Sequence, residues 1–398
     1  MNHSSLTRWI GALKSAASLF IALLIVPLSL IQAAEPEFTD VFMSNKEGYP
    51  NFRIPSLVVT QKGTVLAMCE GRAKHDDNAE NDLVLKRSTD GGKTWSPLQL
   101  VRDNGADTCN DPVMTVLDSG RVLLFFVRFP ADAHTKEVVA GFEGKVSRHF
   151  VMTSDDDGKT WSAPREVTRQ VKPAEARATS QGAGTGVQLQ RGPHKGRVLV
   201  PMWQRIGEKT ETMAFVAISD DRGETWHHSQ PVPHGRDGGR PWHNISEPAL
   251  VELNDGRIMM NGRGANGPLP FHRKLSHSAD AGETWSQCIE EKQLRESQCQ
   301  ASLLRITDPR DPKMKPLMFC NPNSHESRKD GTVRLSFDEG RTWPVSRLLV
   351  PGTFKYNCLA QLPDGTLLCL FERGASKTPS VTLARFTMDW VTGGKERQ

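Results

Sequence analysis

The chain has 398 residues, 24% charged and 37% apolar, with 50 basic side chains against 46 acidic ones and a formal net charge of +4. A balance so near neutrality gives no reason to expect a nucleic-acid or anionic-membrane partner. Seven cysteines, an odd number without a Cys-x-x-Cys pair, supply neither a disulfide framework nor a zinc signature.

Residues 1–34 carry Arg8 and Lys14, no acid, and a largely apolar run from Ala16 to Ile31. This pattern predicts a secretory signal, with cleavage near Ala33 and Ala34 and an exported product, periplasmic or extracellular. Pro27 breaks the run, which is short for a spanning helix, so an uncleaved anchor is the alternative. The remainder, 35–398, is long enough for two domains, but its internal repetition predicts one.

Six apolar runs follow, each folded about a short turn of Gly, Asp or Pro. They are SLVVTQKGTVLAMCE, VMTVLDSGRVLLFF, VQLQRGPHKGRVLVPMW, ALVELNDGRIMMN, SLLRITDPRDPKMKPLMFCN and CLAQLPDGTLLCLFE. Each reads as a β-hairpin. After each of the first five comes the pattern Ser-x-Asp-x-Gly-x-Thr-Trp, at Ser88–Trp95, Ser154–Trp161, Ser219–Trp226, Ser278–Trp285 and Ser336–Trp343. Its tryptophans recur 66, 65, 59 and 58 residues apart. The Asp can bond backbone N–H groups of its own turn, the Gly can take a positive φ, and the Trp can wedge between neighbouring repeats. These aspartates therefore read as structural. Hairpin plus second hairpin makes four antiparallel strands per unit, and six units predict an all-β, six-bladed β-propeller. The sixth unit lacks an outer strand, which Phe38–Met43 near the N-terminus can supply.

This topology sends every Trp motif to one face. Strand-1 starts, strand-2 ends and the loops between strands 2 and 3 gather on the other face, around the central channel, where chemistry is expected. Arg53, Glu70, Arg72, His75, Asp76, Asp77, Glu247, Arg263, Arg328, Tyr356 and Glu372 all fall at such positions. Arginines brought together from three blades need an anion or acids to answer them, and guanidinium forks suit a carboxylate.

At this point the chain resembles the sialidases (exo-α-neuraminidases) with Asp-box repeats. The likeness runs from about Phe52 to Thr392. It rests on FRIP at 52–55, five Asp-boxes, EGR at 70–72, NGR at 261–263 and a late tyrosine. It implies that Arg53, Arg263 and Arg328 hold a sialic acid carboxylate, with Glu372 steadying Arg53. It implies Tyr356 as nucleophile, Glu247 as its activating partner and Asp77 as acid/base, with Asp76 the alternative for that role. Arg72 and Glu70 would line the pocket nearby. Glu247-Pro248 and YNCL at 356–359 depart from the family's more usual ESQ and YSDL.

The implied activity is exo-hydrolysis of terminal α-linked sialic acids from glycoproteins or glycolipids, with retained configuration and no metal or cofactor. Three other readings stay open: a trans-sialidase, whose acceptor platform could be Trp203, Trp242 or Phe271; a hydrolase of a related nonulosonic acid; and a non-catalytic sugar-binding propeller.

Overall fold

A computed structural model describes residues 34–394 except 78, 208–211, 238–239, 243–244, 265–270, 309 and 375–379, with the backbone alone for the remainder of 235–242. The expected signal segment, 1–34, lies outside the described residues but for Ala34.

Six antiparallel sheets form the six blades. Their innermost strands are Asn51–Val59, Thr108–Val116, Ala176–Gln181, Ile245–Glu252, Ser302–Arg305 and Asn357–Gln361. The ring closes as expected. Glu37–Phe42 pairs antiparallel with Ser380–Phe386, so the N-terminal segment is the outer strand of blade 6.

The hairpin runs are apolar on both faces because both faces are buried. In blade 1, Val65–Arg72 is buried throughout. Each seam between neighbouring blades carries one large apolar cluster, as in the 6/1 seam, where Phe52 and Leu57 pack with Cys358 and Leu370. The core is thus six sectors rather than one centre.

The Asp-boxes have the anticipated geometry. Asp221 Oδ1 accepts from Thr225 N at 2.8 Å and its Oδ2 from Thr225 Oγ1 at 2.6 Å, while Ser219 Oγ accepts from Gly223 N at 2.7 Å. The other four boxes repeat these bonds. The five box glycines take φ between +76° and +98°, a region that costs other residues free energy. Trp226 meets Phe125 of the preceding blade edge to face, centroids 5.3 Å apart.

Blade 3 departs from the hairpin read in the sequence. Its innermost strand is Ala176–Gln181, upstream of the expected VQLQ. Val187–Gln188 contributes a separate short pairing lower on the same neighbour. Between them the Gly-Ala-Gly-Thr-Gly stretch, 182–186, leaves the blade, and Gly184–Thr185 runs parallel to Val113–Met114 of blade 2. The reason lies in distant partners. Ser56 Oγ donates to Gly184 O (2.6 Å) and Gln300 Nε2 to Ala183 O (3.0 Å). This strap crosses the channel axis, and Ala183 packs with Ile54, Cys299 and Tyr356.

Glycine is required at 182 because a Cβ there would overlap the carbonyl oxygen of Pro248. Gly182→Ala is expected to lower unfolding free energy by about 1–3 kcal/mol through overpacking. A reduced thermal midpoint would show this, and an unchanged one would show that the strap moves freely.

Candidate active site

Above the strap lies a cavity of about 500 Å³. All six blades contribute to its wall: Arg53, Ile54, Arg72 and Asp77 from blade 1, Asn110, Asp111, His134 and Thr135 from blade 2, Trp203, Arg205 and Thr212 from blade 3, Ser246, Glu247 and Arg263 from blade 4, Gln298 and Arg328 from blade 5, and Tyr356 from blade 6.

One local device aims three of these walls inward. The pairs Ile54-Pro55, Asp111-Pro112 and Glu247-Pro248 each interrupt the register of an innermost strand. The residue before the proline has positive φ: 58° at Ile54, 52° at Asp111 and 40° at Glu247. A proline disfavours the right-handed helical region for its predecessor, and the bulge re-aims that side chain. Arg53 and Glu247 therefore sit within the innermost strands rather than ahead of them. Pro248 is part of what places Glu247. Positive φ at three non-glycine residues is local strain, which concentrates at functional sites.

Tyr356 is the hub. Its hydroxyl donates to Glu247 Oε1 at 2.5 Å, and Arg263 Nη1 lies 3.4 Å from the same hydroxyl. The guanidinium carbons of Arg53 and Arg328 each stand 5.3 Å from the centre of its ring. Glu372 is fully buried. It accepts from Arg53 Nε at 3.2 Å and from Ile54 N at 2.9 Å, tying blade 6 to blade 1. Arg263 Nη1 donates to Glu247 Oε1 at 2.7 Å. Arg328 Nη2 donates to the carbonyl of Gln298 at 2.7 Å. Among the described residues Arg328 has no carboxylate partner, so this end of the cavity holds a cation with room for an anion.

Asp77 lies on a loop at the rim, its side chain 57% exposed. Its Oδ1 accepts from Arg72 Nη1 at 2.7 Å and lies 3.4 Å from Arg53 Nη1. Burial pushes this carboxyl up, but the guanidiniums of Arg72 and Arg53 outweigh that effect and hold it down at about 2. A depressed carboxylate adds stability above its unfolded value, near 3.9, and loses that contribution as pH falls toward 2. Between pH 5 and pH 2 the melting temperature of the parent is expected to fall more steeply than that of Asp77→Asn. Parallel curves would mean that the rim contact has no weight in solution.

Burial, then the Glu247 charge, raises the Tyr356 phenol well above its ordinary value. Burial acts upward on Glu247 too, but Arg263 and the Tyr356 hydrogen bond hold its carboxyl below the ordinary range. The proton therefore rests on the phenol, beside an anionic carboxylate.

Of the eleven residues singled out in the sequence, the nine given primary roles converge here with one difference. Glu70, expected in the wall with Arg72, is set behind it and fully buried. Its carboxylate accepts from Arg72 Nε at 2.7 Å and from Asp111 N at 2.8 Å, so it fixes the wall without facing the cavity. His75 and Asp76 are exposed on the rim loop and do not line the cavity. The chain's other tyrosine, Tyr49, lies off the cavity wall, its hydroxyl donating to Asp82 Oδ2 at 2.7 Å. Of the aromatic residues considered as an outer platform, Trp203 is buried in the wall, Phe271 lies off it, and the side chain of Trp242 falls outside the described residues.

The sequence reading missed Asp111 and the wall of blades 2 and 3. Burial, then the neighbouring Glu70, raises the Asp111 carboxyl well above its ordinary value, and Ser180 Oγ donates to its Oδ2. Its signal in the sequence was Asp-Pro at the head of an apolar run, the same device as Glu247-Pro248. Arg205 had no such signal, since it ends a plain strand, Val198–Ile206.

Fold and site together define an Asp-box propeller with an arginine-lined cavity on one face. The chain belongs to the BNR repeat-like domain family, whose model matches residues 63–369, and within it to the sialidases with Asp-box repeats. It is 34% identical over 375 residues to a sialidase of Micromonospora viridifaciens, covering 90% of this chain and 55% of that protein. A sialidase of Bacteroides fragilis (strain YCH46) is 30% identical over 341 residues, covering 81% of this chain and 60% of that one. The chain thus spans little more than half the length of these relatives. The solved Hadza microbial sialidase Hz136 is similar with a TM-score of 0.77 at 25% identity, covering 89% of this chain and 69% of that structure.

Proposed function

We propose that this protein is an exported exo-α-sialidase that releases terminal sialic acids from glycoconjugates with retained configuration. The observation that carries the reading is the Tyr356 hydroxyl on Glu247 at 2.5 Å, amid three guanidiniums of one cavity.

The substrate class follows from the chemistry of that cluster. A sialoside bears a carboxylate on its anomeric carbon. Arg53, Arg263 and Arg328 would hold it, and Arg328 has no competing acid among the described residues. A carboxylate nucleophile would meet a like charge at that carbon, whereas a neutral phenol avoids the repulsion. The phenol is a weak nucleophile at neutral pH, so Glu247 takes its proton as the O–C bond forms. Asp77 protonates the departing oxygen, and the same residue, now a carboxylate, activates the water that cleaves the tyrosyl intermediate. The arginines stabilise charge redistribution in the oxocarbenium-like transition state.

Asp77 is an anion in the free protein. The incoming carboxylate draws Arg53 away from it and the sugar covers it, and both changes raise its proton affinity.

The test is release of a fluorescent aglycone from an α-sialoside, with the first-formed anomer read by NMR. Release with retention is expected. A folded parent that releases nothing would overturn the reading. Asp77→Ala is expected to lose about a hundredfold or more on a natural glycan but far less on an aglycone that leaves without a proton. Equal losses on both substrates would remove Asp77 from the acid role.

A further inference from the structure

Five arginines line the cavity, and three of them face carboxylates: Arg53, Arg72 and Arg263. Among the described residues the other two, Arg328 and Arg205, donate only to backbone carbonyl oxygens. Arg328 belongs to the carboxylate end. Arg205 stands on the other side, in blade 3, and its Nη1 donates to Thr135 O at 3.1 Å. Its Nε is buried without a hydrogen-bond partner. A half-satisfied guanidinium in a desolvated wall is costly unless a ligand supplies an acceptor.

The wall around it is polar. Thr135 and Thr212 flank Arg205, and His134 lies beside Asn110, its Nε2 3.3 Å from Asn110 Nδ2. Trp203, two residues before Arg205 on the same face of the strand, is the sole large apolar surface on this side among the described residues.

Sugar geometry decides which part of the substrate meets this wall. In a sialic acid the carboxylate is on C2 of the pyranose, and C5 is the ring atom diametrically opposite. With the carboxylate on the arginines of blades 1, 4 and 5, the C5 substituent points to blades 2 and 3. A C5 N-acetyl group would end in a methyl with only Trp203, among the described residues, to cover it. A substituent ending in a hydroxyl would give Arg205 its missing acceptor and would meet Thr212 and Thr135 as well.

We infer that Arg205 and Thr212 form a selectivity subsite for a C5 substituent that ends in a hydroxyl, either an N-glycolyl arm or the bare C5 hydroxyl of the deaminated acid. The inference rests on the sialidase reading of the cavity. A site built to hydrogen-bond a hydroxyl discriminates against the analogue that lacks it.

The experiment compares kcat/KM of the whole chain on three 4-methylumbelliferyl α-ketosides that differ only at C5: N-acetyl, N-glycolyl and hydroxyl. The parent is expected to favour at least one hydroxyl-bearing substrate over N-acetyl by about tenfold. The substrate that wins identifies the arm. Arg205→Met is expected to bring that ratio to within about threefold of unity, mostly by losing the hydroxyl-bearing substrate. Thr212→Val is expected to lower it in the same direction, and it serves should Arg205→Met not fold.

A parent that turns over all three with equal or better use of N-acetyl overturns the inference while leaving the sialidase reading intact. So does a preference that survives in a folded Arg205→Met. A parent that releases none of the three takes both readings down.

Discussion

Tyr356→Phe is expected to lower kcat on an activated sialoside by about a thousandfold while KM changes little. The ring remains, so the stacking of Arg53 and Arg328 and the buried packing on Ala183 remain too. Only the oxygen that bonds Glu247 is lost. Folding is therefore preserved, and the effect falls on the chemical step. A thermal midpoint close to the parent's, with a collapsed kcat, separates loss of the proposed nucleophile from loss of structure. A variant that keeps parental kcat and still forms the retained anomer would remove Tyr356 from the covalent role.

The second large effect is expected at Arg263→Met. Its Nη1 serves Glu247 at 2.7 Å and approaches the Tyr356 hydroxyl. Truncating one partner of a buried, hydrogen-bonded charge pair costs about 2–5 kcal/mol, so kcat/KM should fall by about thirtyfold or more. The pH profile carries the sharper signature. Glu247 is held low chiefly by Arg263, against the upward push of its burial. Without that cation the carboxyl rises, and the acid limb of the kcat/KM profile moves to higher pH. A drop in activity with an unmoved limb would show that Arg263 binds the substrate without tuning the base.

The parts of this molecule that were legible in the sequence are those whose causes are local. Each Asp-box is complete within eight residues, so its turn and its face could be read directly. The ring count followed from six hairpins, and the closing strand from one that was missing. Arg53, Arg72, Arg263, Arg328, Tyr356 and Glu372 were legible because they sit at strand ends or loops whose positions the blade topology fixes. What escaped has distant causes. The inner strand of blade 3 breaks because Ser56 and Gln300, 128 and 117 residues from their strap partners, hold the strap across the axis. Glu70 stands behind the wall because Asp111 N and Arg72 draw its two oxygens inward. Arg205 looked like an ordinary strand residue, since nothing nearby in the chain says that its guanidinium lacks a carboxylate partner among the described residues.

The strap of residues 182–186 also governs traffic. A propeller with an open axis would let small molecules enter at one face and leave at the other. Here Ala183 packs beneath Tyr356 on the axis side of the cavity, so, on the proposed sialidase reading, substrate would enter and product leave by the same face. Release of the cleaved sugar would then have to precede the next encounter, and its residence time would set a ceiling on turnover. On that reading free acid returning to the same face would compete for the same three guanidiniums, so product inhibition is the expected consequence of the strap in a confined volume.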